Sequence, residues 1–193
     1  MEVKSKPTVG FLTVVEHPQY GLFGGYLILN MAGRPLEFHC TAPIKPNRAQ
    51  EILYGPTLES FLYGEQIGQT LIGQGTASPL LVCTDREPAL AAREYVPTPL
   101  ALVLPPEAQM AEPIIEKTPA VASGKMFRLD AAHHGPRLVA FQLGRNHLAL
   151  PEHADEDRRL IAERLADVAD SFDLAEPFQR IRDAIEEAQQ AVR

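Results

Sequence analysis

The chain has 193 residues, of which 45% are hydrophobic, so it can bury a core that suits one domain with an appendage. No apolar stretch reaches the ~20 residues that a membrane-spanning helix needs, and the N-terminal residues lack the apolar segment of a signal peptide. These absences exclude a membrane span and favour a cytoplasmic protein without membrane attachment.

The net charge of −7 is unevenly distributed. Between Glu152 and Arg193 there are 12 Asp and Glu residues against 6 Lys and Arg residues, so this segment carries −6 of the total. A nucleic-acid enzyme normally presents a basic face, because contacts to phosphate supply much of its affinity. The charge distribution therefore argues against nucleic acid as the partner.

Three strands are predicted at the start of the chain. Thr8–Glu16, Tyr26–Asn30 and Leu36–Ile44 are rich in β-branched and aromatic residues or alternate apolar with polar ones. The prolines and glycines of His17–Gly25 predict a loop between the first two, and a tight turn around Gly33 joins the second to the third. Connections this short predict an antiparallel meander.

A helix is predicted to begin after Asn47. Asn47 is a favourable N-cap, and Gln50 three residues later completes the pattern of a capping box. An apolar stripe begins with Ala49, Ile52 and Leu53.

Gly55-Pro56 predicts a break or kink in this helix, and Thr57 can cap a second piece that continues to Leu71. Further elements follow in alternation: a buried strand at Leu80–Thr84, a helix at Ala89–Tyr95 and a buried strand at Leu100–Leu104. The predicted order is β-β-β-α-β-α-β.

This order resembles that of the ribonuclease H-like fold. Gly24-Gly25-Tyr26 leading into a strand is similar to the second strand of ribonuclease H, and Asn47-Arg48 followed by Glu51 is similar to the start of its first helix. Thr84-Asp85 at the end of an apolar strand is similar to its fourth strand. The resemblance covers about the first half of the chain. It implies an α/β fold with a mixed five-stranded sheet, to which a hairpin and two C-terminal amphipathic helices are appended.

The resemblance also implies a metal site. In the ribonuclease H-like family, acids on the first strand, first helix and fourth strand hold two Mg²⁺ ions that cleave nucleic-acid backbones, and the matching positions are Glu16, Glu51 and Asp85. Glu16 departs from the family, which uses Asp there, and Mg²⁺ tolerates little change in ligand geometry. The family's fourth acid has no clear counterpart, although acids are available at Asp130, Asp155, Asp157 and Asp167.

Each of these three acids has a structural alternative. Asp85 stands between a strand and a helix, where it can be an N-cap. Glu51 lies in the first turn of a helix, where a carboxylate interacts favourably with the helix dipole. Glu16 at a strand end can be solvated or paired with a surface Arg.

The remainder of the chain predicts three further segments after a core domain at 1–104. Residues 105–124 are a Pro-rich connector, 125–150 a hairpin extension and 151–193 a helical segment. Within the extension, Met126–Asp130 and Leu138–Leu143 are predicted to pair around a turn at His133-His134, and His147–Leu150 can add a short strand.

Two amphipathic helices are predicted at the C-terminus. One spans Glu152–Phe172, and the other follows Glu176-Pro177 with apolar residues at three-and-four spacing. Their apolar stripes must be buried as a hairpin on the sheet, on a second copy, or on another protein. We expect a protein partner or self-association through these helices.

Cysteine and histidine residues suggest no further chemistry. Cys40 and Cys83 are predicted to be free and mostly buried. His39 and Cys40 are neighbours on a strand, so they point to opposite faces and cannot easily share one zinc ion. His133-His134 beside Gly135-Pro136 is better interpreted as an exposed turn than as a ligand pair.

Glycine-rich stretches are interpreted as turns. Gly21–Gly25 lacks the GxGxxG spacing, and Ser123-Gly124-Lys125 lacks the upstream glycine of a phosphate loop. Tyr20, Phe23 and Tyr26 could stack on a base, but packing in the core and loop is the simpler role.

Three functions are compatible with the sequence. The favoured one is a divergent ribonuclease H-like module without metal catalysis, which acts as a structural or protein-interaction domain. The alternative is a nuclease that uses Glu16, Glu51 and Asp85 to bind Mg²⁺ or Mn²⁺. The third is an unrelated partner-binding α+β domain. Strand order separates this third function from the first two, because only the ribonuclease H-like fold places Leu80–Thr84 parallel to and beside the first strand.

Overall fold

An antiparallel meander opens the described part of the chain. The computed structural model describes residues 7–105, 137–165 and 172–191. Its first three strands are β1 (Thr8–His17), β2 (Gly21–Asn30) and β3 (Pro35–Cys40). Short turns join them, so they are antiparallel, as predicted. The predicted loop over His17–Gly25 is wrong in its second half, because β2 begins at Gly21 and contains all of Gly21–Gly25.

A long helical connection follows β3. It consists of α1 (Arg48–Tyr54), a 3₁₀ turn (Gly55–Thr57), α2 (Leu58–Ser60), a π-helix (Phe61–Gln69) and α3 (Thr70–Gln74). The predicted capping box is confirmed: Gln50 N donates to Asn47 Oδ1 at 2.9 Å and Asn47 N to Gln50 Oε1 at 3.0 Å. The break at Gly55 is confirmed by its positive φ of 48°. Thr57 caps nothing, since its hydroxyl donates back to Tyr54 O at 2.8 Å.

Four more strands complete one mixed sheet. They are β4 (Leu81–Thr84), β5 (Leu100–Val103), β6 (Leu138–Leu143) and β7 (Asn146–Pro151), and a 3₁₀ helix (Glu87–Glu94) joins β4 to β5. The strand order is β3-β2-β1-β4-β5-β7-β6. β4 is parallel to both of its neighbours, β1 and β5, whereas β7 is antiparallel to β5. The predicted mixed α/β class is therefore confirmed.

The sheet has seven strands, not the five predicted with a separate hairpin. The hairpin β6–β7 turns at Gly144 and continues the sheet, because Ala149 of β7 lies opposite Leu102 of β5. The predicted short strand at His147–Leu150 is confirmed as part of β7. The predicted partner of β6, Met126–Asp130, lies outside the described residues, as do the turn at His133-His134 and nearly all of the 105–124 connector.

The C-terminal helices pack on the sheet of their own chain. They are α4 (Asp155–Leu165) and α5 (Glu176–Ala191), and α5 lies against β1 and β2. The described part of their apolar stripes is therefore buried on the sheet, which is one of the three alternatives expected, and docking of a partner through these helices stays a prediction. The predicted helix Glu152–Phe172 begins three residues later, at Asp155, and its residues 166–171 lie outside the description. No helix in the described ranges is long and apolar enough to cross a membrane.

Helices cover both faces of the sheet, which makes two apolar layers. The layer between the sheet and α4–α5 contains β1 and β4 side chains together with these helical residues: Ile161, Leu165, Phe178, Ile181 and Ile185. The layer on the other face contains these residues of the π-helix, α3 and the 3₁₀ helix: Leu62, Tyr63, Ile67, Leu71, Ala89, Leu90 and Ala92.

Two consecutive glycines on β2 let helices approach the sheet from both sides. A Cβ on Gly24 would lie 2.2 Å from Ile67 Cγ2 of the π-helix, and one on Gly25 would lie 2.3 Å from Ile181 Cγ2 of α5. Both distances are far below van der Waals contact, so any side chain there would push a helix outward. The pair therefore allows close packing of both layers.

The apolar stripe at the start of α1 is exposed. Ile52 is 66% exposed and Leu53 is 81% exposed, and α1 has no buried residue. The chain breaks at Gly55, directly after α1, and the layer over the sheet is supplied by the π-helix that follows. Tyr54, at the end of α1, stacks on Phe61, with the two ring centroids 4.0 Å apart.

Candidate functional site

The best candidate site lies where β1 and β4 end. These strands are parallel, and their register pairs Leu12 with Thr84. The next residues along each strand, Thr13 and Asp85, are therefore neighbours at the same end of the sheet. In open α/β sheets, ligands bind at the carboxyl ends of the strands. This end carries two of the three predicted acids, Glu16 and Asp85.

Asp85 lies on the face of the sheet that α5 covers. Its Oδ1 accepts a hydrogen bond from Thr13 Oγ1 at 2.6 Å, and its Oδ2 forms an ion pair with Arg182 of α5. Its side chain is only 17% exposed. Both carboxylate oxygens are therefore engaged by the protein itself.

The expected capping role of Asp85 is wrong. The 3₁₀ helix that follows begins at Glu87, and Arg86 before it makes no side-chain cap. The chain turns instead through Thr84, whose Oγ1 accepts from Arg86 N at 3.1 Å. The Asp85 side chain instead points from the end of β4 toward α5.

Glu16 lies on the opposite face. Its Oε1 accepts a hydrogen bond from the Tyr63 hydroxyl of the π-helix at 2.6 Å. Burial, together with this hydrogen bond, raises the pKa of Tyr63 well above its usual range. Glu16 is exposed, as its structural alternative predicted, but its side-chain partner is this phenol and not an Arg.

Glu51 belongs to neither of these arrangements. It lies in the first turn of α1, where its carboxylate accepts from Arg48 Nη1 at 3.1 Å. This position matches its structural alternative, an exposed acid at a helix N-terminus.

The three predicted acids thus have three different sets of partners. Because side chains alternate along a strand, Thr13 and Glu16 of β1 point to opposite faces, and Asp85 shares the face of Thr13. Across residues 7–105, 137–165 and 172–191, no three His, Cys, Asp or Glu side chains are grouped so that they could hold a metal ion. Metal binding by Glu16, Glu51 and Asp85 stays a prediction.

The candidates for a fourth acid do not join them. Asp155 pairs with Arg158 at 2.6 Å, and buried Asp157 receives two hydrogen bonds from Arg93, at 2.7 and 3.0 Å. This hydrogen bonding raises the pKa of Arg93. Asp130 and Asp167 lie outside the described residues.

Thr13, Tyr63 and Arg182 were missed by sequence reasoning. Thr13 could have been found, because Val9, Phe11 and Thr13 form one alternating face of β1, and the polar member of that face has to meet a polar partner. Nothing local indicates Tyr63 or Arg182, since their partners lie 47 and 97 residues away in the chain.

Arg86 was also missed. Its Nε is buried and makes no hydrogen bond within the described residues. It lies near Tyr63. The positive charge of Arg86 lowers the pKa of Tyr63, but burial and the hydrogen bond to Glu16 raise that pKa by more. Both faces of this end of the sheet therefore carry an arginine, Arg86 on one and Arg182 on the other.

The two cysteines differ in environment. Cys83 is buried, and burial raises the pKa of its thiol. Cys40 is exposed, which corrects the expectation that both are mostly buried. The neighbouring His39 points to the other face of the strand, where its Nε2 lies 3.1 Å from Glu37 Oε2. The side chains of His39 and Cys40 therefore diverge, as predicted.

The aromatic residues near the glycines pack as predicted, with one exception. Tyr26 and Phe23 are buried in the core. Tyr20 is exposed and lies over the ring of His17, with ring centroids 4.6 Å apart.

A separate cavity of about 820 Å³ lies between the 3₁₀ helix and the start of α4. Its walls include Pro88, Leu90 and the Arg93–Asp157 ion pair. None of the three predicted acids lines it.

No protein-family model matches this sequence, and no curated protein matches it either.

Proposed function

We propose that this chain is a divergent ribonuclease H-like α/β module that does not use metal catalysis and acts in protein–protein interaction or as a structural component. The strand order supports the fold part of the proposal: β4 lies beside β1 and parallel to it, the arrangement that separates this fold from a simple meander-and-helix domain. A cytoplasmic location remains part of the proposal.

The observation that carries the functional part is the environment of Asp85. Of the three predicted acids, it is the one best placed for chemistry, at the carboxyl end of β4. Arg182 neutralises its charge, and Thr13 stands at the neighbouring position of β1, where a second acid would be needed. A divalent cation would have to displace a guanidinium that the chain itself supplies.

Exposed apolar side chains support the interaction part. Ile52 and Leu53 are adjacent on α1 and largely exposed, and Leu36 and Phe38 are exposed on β3. Grouped exposed apolar residues are a common mark of protein-interaction surfaces. Since α5 buries the described part of its apolar stripe within its own chain, α1 and β3 are proposed as an interaction surface in addition to the C-terminal helices.

A nuclease assay tests this proposal. The purified chain is incubated with single-stranded, double-stranded and hybrid oligonucleotides in Mg²⁺ and in Mn²⁺, beside Glu16→Gln, Glu51→Gln and Asp85→Asn. We expect no cleavage that depends on these acids. Glu187→Gln, which changes an exposed acid of α5, is the matched control. Cleavage that survives Glu187→Gln and disappears in Asp85→Asn would overturn the proposal in favour of the nuclease.

A further inference from the structure

The cavity of about 820 Å³ beside the start of α4 is shaped by the period of the 3₁₀ helix. Residues three apart share one face of such a helix, and the face that carries Ala89 and Ala92 is buried in the core. The two remaining faces line the cavity with Glu87, Pro88, Leu90, Ala91, Arg93 and Glu94. The volume is in the range of small-molecule sites.

Much of the lining of this cavity is apolar and fixed in position. Leu90 and Leu100 belong to it and are only 4% and 1% exposed. Pro56, Pro88 and Pro151 stand around them, and the ring of proline fixes its φ angle. The cavity is therefore formed before any ligand arrives, as ligand sites usually are.

An ion pair joins two walls of the cavity. Arg93 of the 3₁₀ helix donates to Asp157 of α4 from Nε at 2.7 Å and from Nη2 at 3.0 Å, and such a two-point contact fixes the geometry between two elements. The remaining nitrogen, Nη1, donates to Val96 O at 2.9 Å. Each nitrogen of Arg93 thus has an acceptor already, so Arg93 is not the counter-ion of the other carboxylates in the lining.

Four further carboxylates line the cavity, and they come from three different elements. They are Glu59, Glu87, Glu94 and Glu156. All four are exposed, and none has an ion pair or a hydrogen bond among the described residues. Nowhere in the described ranges are carboxylates grouped closely enough to share one metal ion. Carboxylates that are spread around an apolar surface are complementary to several cationic groups joined by hydrocarbon.

We propose that this cavity binds an aliphatic polyamine. Its ammonium groups pair with the separate carboxylates, and the methylene chains between them lie on the apolar walls, as the stems of lysine side chains do on protein surfaces. This site goes beyond the interaction role proposed above and does not depend on it.

Isothermal titration calorimetry with spermidine at low ionic strength tests the proposal. We expect the wild type to bind at one site. Glu87→Gln/Glu94→Gln should weaken binding by about 3- to 30-fold, because it removes two exposed ion pairs. Glu186→Gln/Glu187→Gln removes two exposed acids of α5 and changes the net charge equally, so it should bind like the wild type. Circular dichroism verifies that both variants are folded.

Two probes with the same charge as spermidine test what the cavity recognises. Hexaamminecobalt(III) is compact and should bind more weakly, because it has no hydrocarbon for the apolar walls. A lysine tripeptide with blocked ends should also bind more weakly, because its backbone brings polar groups that apolar walls cannot pair. Equal binding of the cobalt complex would overturn recognition of a polyamine, and tighter binding of the tripeptide would overturn it in favour of a protein partner.

No binding of spermidine by the wild type, or equal losses in the two double variants, would overturn the site. Either outcome leaves the non-catalytic proposal intact, because none of the acids changed here is a predicted metal ligand. Conversely, cleavage that depends on Asp85 would overturn the non-catalytic proposal and leave the polyamine site intact.

Discussion

The two faces of the sheet use the ends of the same strands differently. On the α5 face, Thr13 and Arg182 surround Asp85 and neutralise it. On the π-helix face, Glu16 accepts a hydrogen bond from the hydroxyl of Tyr63. The difference follows from side-chain alternation, which sends two residues only three apart on β1 to opposite sides. A set of acids that looks suitable along the sequence is thereby divided between two environments.

The largest expected effect comes from filling the space between sheet and helix on either face. Gly24→Val would collide with Ile67 of the π-helix, and Gly25→Val with Ile181 of α5. Each should lower the free energy of unfolding by about 3 kcal/mol, because overpacking displaces a helix. Urea unfolding measures both.

Gly73→Ala is the matched control for these glycines. Nothing lies within 4 Å of a Cβ at Gly73, which is in α3. Alanine should therefore raise the free energy of unfolding by about 0.5–1 kcal/mol through helix propensity. If all three substitutions had equal effects, the close approach at β2 would not be the cause.

The second effect concerns the ion pair on the α5 face. Arg182→Gln should lower the free energy of unfolding by about 2 kcal/mol, since Asp85 is mostly buried and loses its charged partner. A double-mutant cycle with Asp85→Asn isolates the coupling between the two residues. Additive single effects would contradict the pairing.

A smaller effect is expected on the π-helix face. Tyr63→Phe removes the donor to Glu16 and should cost about 1 kcal/mol of unfolding free energy. Glu16→Gln in the same background should add little, because the hydrogen bond is already absent. A large additional loss would mean that Glu16 has another role.

The smallest expected effect is a pH dependence of the free energy of unfolding that is caused by Glu37 of β3. Hydrogen bonds from Thr76, and then from His39, lower the pKa of Glu37 from 4.5 to about 2. A lowered carboxyl pKa stabilises the folded state at neutral pH, and that stabilisation is lost as pH falls from 4.5 toward 2. The urea midpoints of the wild type and Glu37→Gln should therefore differ at pH 7 and converge near pH 2. A constant difference would exclude this ionisation as the cause.

Local features were predictable from the sequence. The capping box of Asn47 and Gln50 needs only residues within one turn, and the break at Gly55 needs only one backbone angle. Strand β4 was recognised from its continuous apolar run. These elements were sufficient for the α/β class.

Long-range pairing of side chains was not predictable. Arg182 reaches Asp85 across 97 positions of the chain, and nothing near Arg182 indicates its partner. The exposure of Ile52 and Leu53 depends on which helix covers the sheet, which periodicity alone does not decide. Gly24 and Gly25 suggested a loop because glycine favours turns, whereas close packing of two helices explains them.

The central claim is that Asp85 is the partner of Arg182 and not a metal ligand. The most direct test is the free energy of unfolding of the wild type and Asp85→Asn in millimolar Mg²⁺, against NaCl of equal ionic strength. A cation that binds the folded state stabilises it in proportion to the logarithm of its concentration. We predict the same response to Mg²⁺ in both chains. Stabilisation of the wild type by Mg²⁺ that is lost in Asp85→Asn would contradict the claim.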